Sequence, residues 1–326
     1  MKRIKVKWEY PACNLCGSGT NEVVWDKVTS WMNRGVFRIV SCSECGLTYL
    51  SPRPAASLIK KYYQPESYWG RNILKFAGSE SSQSREGAYE FLYKDIFEMR
   101  KNGSILDIGA GTGLFLKRFK EKDWKIEGVE LSKEACKFAK KMFGIDLKSG
   151  DFLDQNFAKR SFNLVTLNSS LEHLYRPKET LAKIWDVLTK RGLLVITVPN
   201  IDSFGARIFG KEWYALQPPT HLYHFTPKTL SSMLFSTGFK VKSIKHSYWQ
   251  HNYHIIFESA RMLFSPKFKK SSDGGLVDKG TLTRKSKQSL LLVSAKIAVR
   301  AAAFLTALLE PIFSKGEVIS VYAEKT

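Results

Sequence analysis

Acidic side chains are scarce in this 326-residue chain: 30 Asp and Glu stand against 51 Lys and Arg, a formal net charge of +21. Such an imbalance invites a polyanion, whether nucleic acid, an anionic membrane surface or a phosphorylated substrate, without choosing among them. Most of the basic residues are dispersed and read as ordinary solvated surface. Two clusters stand apart, with four cations in the first seven residues and seven against two acids between Lys267 and Lys287. Long apolar runs are also missing. No uninterrupted stretch approaches the roughly 18 residues that a membrane-crossing helix needs, which argues against a transmembrane span. The basic start, Met1-Lys-Arg-Ile-Lys-Val-Lys, is not followed by an apolar core of signal-peptide length. Secretory targeting is therefore not indicated, and a cytoplasmic location is expected.

Cysteines number only five, but four of them are arranged. Cys13/Cys16 and Cys42/Cys45 form two C-x2-C pairs with 25 residues between Cys16 and Cys42. In a reducing compartment such pairs read as metal thiolates before they read as disulfides, and each is followed by a glycine (Gly17, Gly46) that lets the turn fold around a sulfur-bound ion. Tetrahedral Zn2+ is the expected occupant, against the alternatives of buried unliganded cysteines or a redox pair. Four thiolates leave no open position, so the zinc would be structural. The runs V-V-W-D-K-V and V-F-R-I-V-S-C between the pairs read as strands of a small sheet.

With 44% hydrophobic and 13% aromatic residues, the chain can fill a sizeable core. Its most informative stretch is Asp107 to Gly113, D-I-G-A-G-T-G. An apolar strand (Ile105, Leu106) stops at these glycines and restarts as a helix (Leu114, Phe115, Leu116, Phe119). Backbone N–H groups and a helix N-terminus then point at whatever sits above, and the absent side chains let it approach closely. Seventeen residues past Gly113, Glu130 closes the strand W-K-I-E-G-V-E. A carboxylate at the second strand end is where a Rossmann-like sheet grips ribose hydroxyls. A third strand runs to Gly150-Asp151-Phe152, an acid and an aromatic suited to an adenine amino group and an adenine face. A fourth ends at Asn168. Asp107, Glu130, Asp151 and Asn168 thus fall at the carboxyl ends of successive strands, as a doubly wound ligand site requires.

On these residues, Ser104 to Asn200 resembles a class I S-adenosylmethionine-dependent methyltransferase. The resemblance implies an α/β Rossmann-like sheet, parallel with a final antiparallel strand, and S-adenosylmethionine as cofactor. It implies that Asp107, Gly109, Gly111, Gly113 and Asn168 face the methionine end, Glu130 the ribose, and Asp151 and Phe152 the adenine. A nicotinamide fingerprint would read G-x-G-x-x-G without a leading acid, whereas here the acid leads. The cysteine module and the segment H-L-Y-H-F-T-P are similar to a bacterial group that methylates small molecules, sugars and lipids, and to nucleotide-sugar C-methyltransferases with an N-terminal zinc domain. Those carry an additional C-terminal domain that has no counterpart here.

Residues 1–53 read as the four-cysteine module, ending at S-P-R-P. Residues 54–100 read as a helical lead-in whose Tyr62, Tyr68 and Trp69 either line the cofactor site or pack a helix on the sheet. Residues 101–248 form the core, 249–315 a basic and then apolar helical insertion, and 316–326 the last strand, with E-V-I-S-V-Y-A over Glu317 to Ala323. Within the insertion, residues 288–313 carry Lys296 and Arg300 four apart on one helix face. That spacing suits docking on the protein or on a second subunit, or peripheral contact with a membrane surface.

Methyl transfer needs an aligned acceptor and, for a hydroxyl or acidic carbon, a base. His173 in L-E-H-L, and His221 and His224 in P-P-T-H-L-Y-H-F-T-P, are the candidates. A metal held by the last two would need a carboxylate that the sequence does not supply nearby. The expected acceptor is a small molecule, a sugar or a lipid-linked glycan, methylated on oxygen or carbon. An RNA methyltransferase is the alternative enzyme, disfavoured because N-S-S-L replaces the N-P-P-Y or D-P-P-Y of base-amino methylation and no RNA-binding module is recognisable. A zinc-dependent binding protein with a relic pocket is the non-enzymatic alternative.

Overall fold

The structure is a computed structural model that describes residues 7–30, 35–58, 81–246, 249–264 and 314–326. Tyr62, Tyr68, Trp69 and the apolar segment 288–313 lie outside the described residues. Among the described residues no helix is long and apolar enough to cross a membrane.

Five short strands open the chain: β1 (Trp8–Glu9), β2 (Asn21–Thr29), β3 (Val36–Cys42), β4 (Thr48–Leu50) and β5 (Arg53–Pro54). After helix α1 (Ser81–Met99), strands and helices alternate through β6 (Ser104–Ile108), α2 (Leu114–Lys120), β7 (Lys125–Glu130), α3 (Lys133–Phe143), β8 (Lys148–Ser149), β9 (Phe162–Asn168), α4 (Pro177–Val187) and β10 (Leu188–Pro199). The chain continues as α5 (Phe204–Phe209), β11 (Tyr223–His224), α6 (Pro227–Ser236), β12 (Phe239–His246), α7 (Trp249–Phe264) and β13 (Val318–Lys325). The main sheet has seven strands in the order β12-β13-β10-β9-β6-β7-β8, and β13 alone runs opposite to the rest. The expected fold class is the observed one.

Both faces of this sheet are covered, and the period-two alternation of each strand divides its side chains between two cores. Ile105, Leu164, Leu193, Val195 and Tyr322 meet α1, α2 and the turn after α2 through Tyr93, Phe115, Phe119 and Trp124. Leu106, Val165, Leu167, Leu194, Ile196 and Val321 face the opposite way, toward α4, α6 and the N-terminal strands. The strands therefore read as nearly continuous apolar runs rather than as an amphipathic alternation. Helix starts follow their local chemistry. Ser132 accepts from Ala135 N ahead of α3, and Thr226 and Thr229 form a reciprocal capping box with Pro227 at the first turn of α6. A cap of this kind is worth about 1 kcal/mol.

The cysteine segment is less independent than residues 1–53 suggested. Its four-stranded antiparallel sheet runs β11-β4-β3-β2, so its edge strand comes from Tyr223–His224. Asn14 Oδ1 accepts from Lys178 N at 2.9 Å, and the carbonyl of Leu15 accepts from Lys178 Nζ at 2.9 Å. The buried Arg53 donates to Tyr223 Oη at 3.0 Å and to Glu9 at 2.7 Å, and its guanidinium lies 4.6 Å from the centroid of the Tyr175 ring.

Candidate functional site

At the carboxyl rim of the parallel strands, Gly109, Gly111 and Gly113 all take positive φ, at 77°, 55° and 76°. Their reasons for being glycine differ. A Cβ on Gly109 would stand 2.5 Å from Ser170 Oγ, and one on Gly113 would stand 3.1 Å from Ala139 Cβ, so these two permit close packing. A Cβ on Gly111 would meet nothing within 4 Å and would project into open space. That space is where a ligand can lie against bare backbone.

Glu130 holds this loop. Its two oxygens accept from Gly111 N at 2.9 Å and Ser132 N at 2.8 Å, while burial raises its pKa. Asp107, also buried, accepts from Thr166 Oγ1 at 2.6 Å, and burial together with the Glu130 charge lifts its pKa to about 7. Asn168 sits at the end of β9, and its buried Nδ2 has no hydrogen-bond partner. An orphaned donor of this kind fits a polar group brought by a ligand. Asp151 is exposed on the rim and accepts from Leu153 N at 2.9 Å. The reading of Phe152 as a base-stacking surface needs correction: the ring is 3% exposed, packs on Phe157 with centroids 5.6 Å apart and lies under Lys183 Nζ. Its side chain belongs to the buried core cluster.

The three candidate histidines are brought together. The rings of His173 and His221 have centroids 4.6 Å apart, and those of His221 and His224 6.5 Å. His224 lies on β11. Burial lowers the His173 pKa to about 4 and that of His224 to about 3, and it holds His221 well below the ordinary imidazole value. All three are thus neutral near pH 7. The carboxylate that the sequence withheld is Glu172, which is fully buried beside them with its pKa pushed up to about 8 by desolvation. It adjoins His173 in L-E-H-L, but 48 residues lie between it and His221, so spacing alone does not pair the two.

Cys13, Cys16, Cys42 and Cys45 converge with every sulfur within 4.8 Å of the others, and Cys13–Cys45 and Cys16–Cys42 are each 3.5 Å apart. Zinc–thiolate bonds of about 2.3 Å demand sulfurs about 3.8 Å apart at the corners of a tetrahedron, close to this arrangement. Gly17 and Gly46, at φ 83° and 74°, donate their N–H groups back to the carbonyls of Cys13 and Cys42. Burial works to raise the Cys42 thiol, but the backbone N–H groups of Cys45 and Glu44 hold it down to about 7, where thiolate is accessible.

A parallel sheet with strand-end acids around a glycine loop defines a Rossmann-like nucleoside-binding protein. The chain belongs to the methyltransferase domain family, whose profile matches residues 66–244. It is 30% identical over 155 residues to an uncharacterized protein of Methanocaldococcus jannaschii, covering 46% of this chain and 73% of that one. It is 27% identical over 146 residues to a Geobacillus protein named as a candidate methyltransferase, covering 42% of this chain and 57% of that relative. The crystal structure of a SAM-dependent methyltransferase from Archaeoglobus fulgidus superposes with a TM-score of 0.50 at 21% identity, over 79% of this chain and 100% of that one, a likeness of fold.

Proposed function

We propose that this protein is an S-adenosylmethionine-dependent methyltransferase that methylates an oxygen or carbon of a small molecule, sugar or lipid-linked glycan. The observation that carries the reading is the pairing of Gly111, which opens on free space, with Glu130, which holds its N–H. Around that hollow, Glu130 is suited to ribose hydroxyls, Asp151 to an adenine amino group, and Asp107, Gly109, Gly113 and Asn168 to the methionine end. When bound, the cofactor supplies a methyl group on a good leaving group. The chain has to hold the acceptor in line, exclude water and handle its proton. The cluster of His173, His221 and His224, next to the glycine loop through Ser170, is suited to the last task. A structural zinc ion on the four cysteines would fasten the N-terminal sheet. Peripheral membrane contact through residues 288–313 belongs to the same proposal.

Calorimetry with S-adenosylmethionine and NADH tests the cofactor assignment: binding of the first and not the second is expected, and the reverse would overturn it. Labelled cofactor incubated with a metabolite extract then identifies the acceptor.

A further inference from the structure

Beside two of the histidines already described lies a buried acid that the methyltransferase reading leaves unused. The carboxylate of Glu172 is 0% exposed, and neither of its oxygens has a hydrogen-bond partner. A buried acid in that state calls for a counter-charge or a donor. Two imidazoles stand beside it: Glu172, His173 and His221 each offer a ligand atom, and these atoms all lie within 4.8 Å of one another.

Both rings are held in the same way. His173 Nδ1 lies 2.8 Å from the Thr220 carbonyl oxygen, and His221 Nδ1 lies 2.8 Å from that of Ala215. A carbonyl only accepts, so each Nδ1 carries the proton and the neutral ring has its lone pair on Nε2. Metal-binding histidines are prepared in this manner, one nitrogen donating to a backbone oxygen and the other ligating.

We infer that Glu172, His173 and His221 form a site for one divalent first-row transition ion, separate from the four cysteines. Two imidazoles and one carboxylate suit zinc, cobalt or iron, with ligand bonds of about 2.0–2.1 Å and ligand atoms about 3.3 Å apart in a tetrahedron. Three protein ligands leave a coordination position open, the mark of a site that takes water or substrate rather than a structural one. Ser170, two residues before Glu172, packs on Gly109, so the ion would adjoin the cofactor hollow. If the chain is the methyltransferase proposed above, the open position takes an acceptor hydroxyl. That hydroxyl then releases its proton to water more readily.

The test is cobalt(II) titration of the full chain already loaded with one equivalent of zinc, followed by optical spectroscopy. One Co2+ per chain is expected, with weak visible bands and without the intense near-ultraviolet thiolate bands that displacement of zinc from the cysteines would produce. Glu172→Gln, which preserves size and shape, should weaken this binding by at least about 100-fold. His221→Gln should do the same, and if it fails to fold, Glu172→Gln decides. Absence of cobalt binding, thiolate bands alone, or equal affinity in Glu172→Gln would each overturn the site. Calorimetry with S-adenosylmethionine on the same samples keeps the two readings apart, since loss of cofactor binding leaves the cobalt count unchanged.

Discussion

The backbone N–H of Leu222 donates to the carbonyl of Glu172 at 2.7 Å, tying the end of β9 to the segment that carries the paired histidines. The Leu222 carbonyl in turn accepts from Leu50 N at 2.9 Å, in the sheet that holds Cys42. Leu222 thus joins the pairing of β11 with β4 in linking the cysteine sheet to the histidine cluster.

Loss of metal from the cysteines should therefore be felt at the histidines. Cys42→Ser, or chelation, is expected to release zinc and lower the melting temperature. Amide exchange at Leu222 should accelerate in step with exchange in β3 and β4. Faster exchange in β3 with unchanged Leu222 would show that the link does not transmit.

Replacing Glu130 should cost cofactor binding while leaving the overall fold standing. Glu130→Ala removes the acceptor of Gly111 N and, on the proposed reading, that of the ribose, and hydrogen bonds to a charged group are worth about 1.5–3 kcal/mol. S-adenosylmethionine affinity should fall by about 10-fold to more than 100-fold in calorimetry while circular dichroism is retained.

Two glycine substitutions should separate packing from recognition. Gly109→Ala drives a Cβ to 2.5 Å from Ser170 Oγ at a φ of 77° and should mainly lower the melting temperature. Gly111→Ala carries backbone strain of about 1 kcal/mol but meets no neighbour, so its larger effect should be on cofactor affinity. Equal effects of the two variants on both measurements would contradict this division.

Stability should depend on pH from both sides. The Asp107 pKa, about 7 in the folded chain, lies above the unfolded value, so its contribution is complete at low pH and is lost as pH rises to 7. The melting temperature of Asp107→Asn relative to the parent should then increase between pH 4 and 7. His224, at about 3, resists protonation when folded, so acidification from pH 6.5 toward 3 favours the unfolded chain. A His224→Gln variant should flatten that acid limb in thermal melts.

Much of the main sheet could be read in advance because its signals are local. Glu130 ends an apolar strand, Ser132 and Thr226 start helices with side-chain caps, and Gly144 and Gly238 stop them at positive φ. The cysteine convergence was equally legible from its spacing. What escaped was set by distant pairing. Nothing near Tyr223 in sequence shows that it joins β4, and nothing near His221 shows that Glu172 will stand beside it. Phe152 failed for a related reason, because the direction of a ring at a turn depends on how the whole turn packs.

The position of β13 bears on how the molecule comes to be assembled. Residues 318–325 lie between β10 and β12, pairing antiparallel with both. Just ahead of them, the buried carboxylate of Glu317 receives Gly205 N and Trp213 Nε1. As the ribosome delivers the polypeptide, β12 emerges well before β13, the strand that seats it, and the edge of β10 that β13 covers has to wait for it. Such an edge invites mispairing with a neighbouring nascent chain.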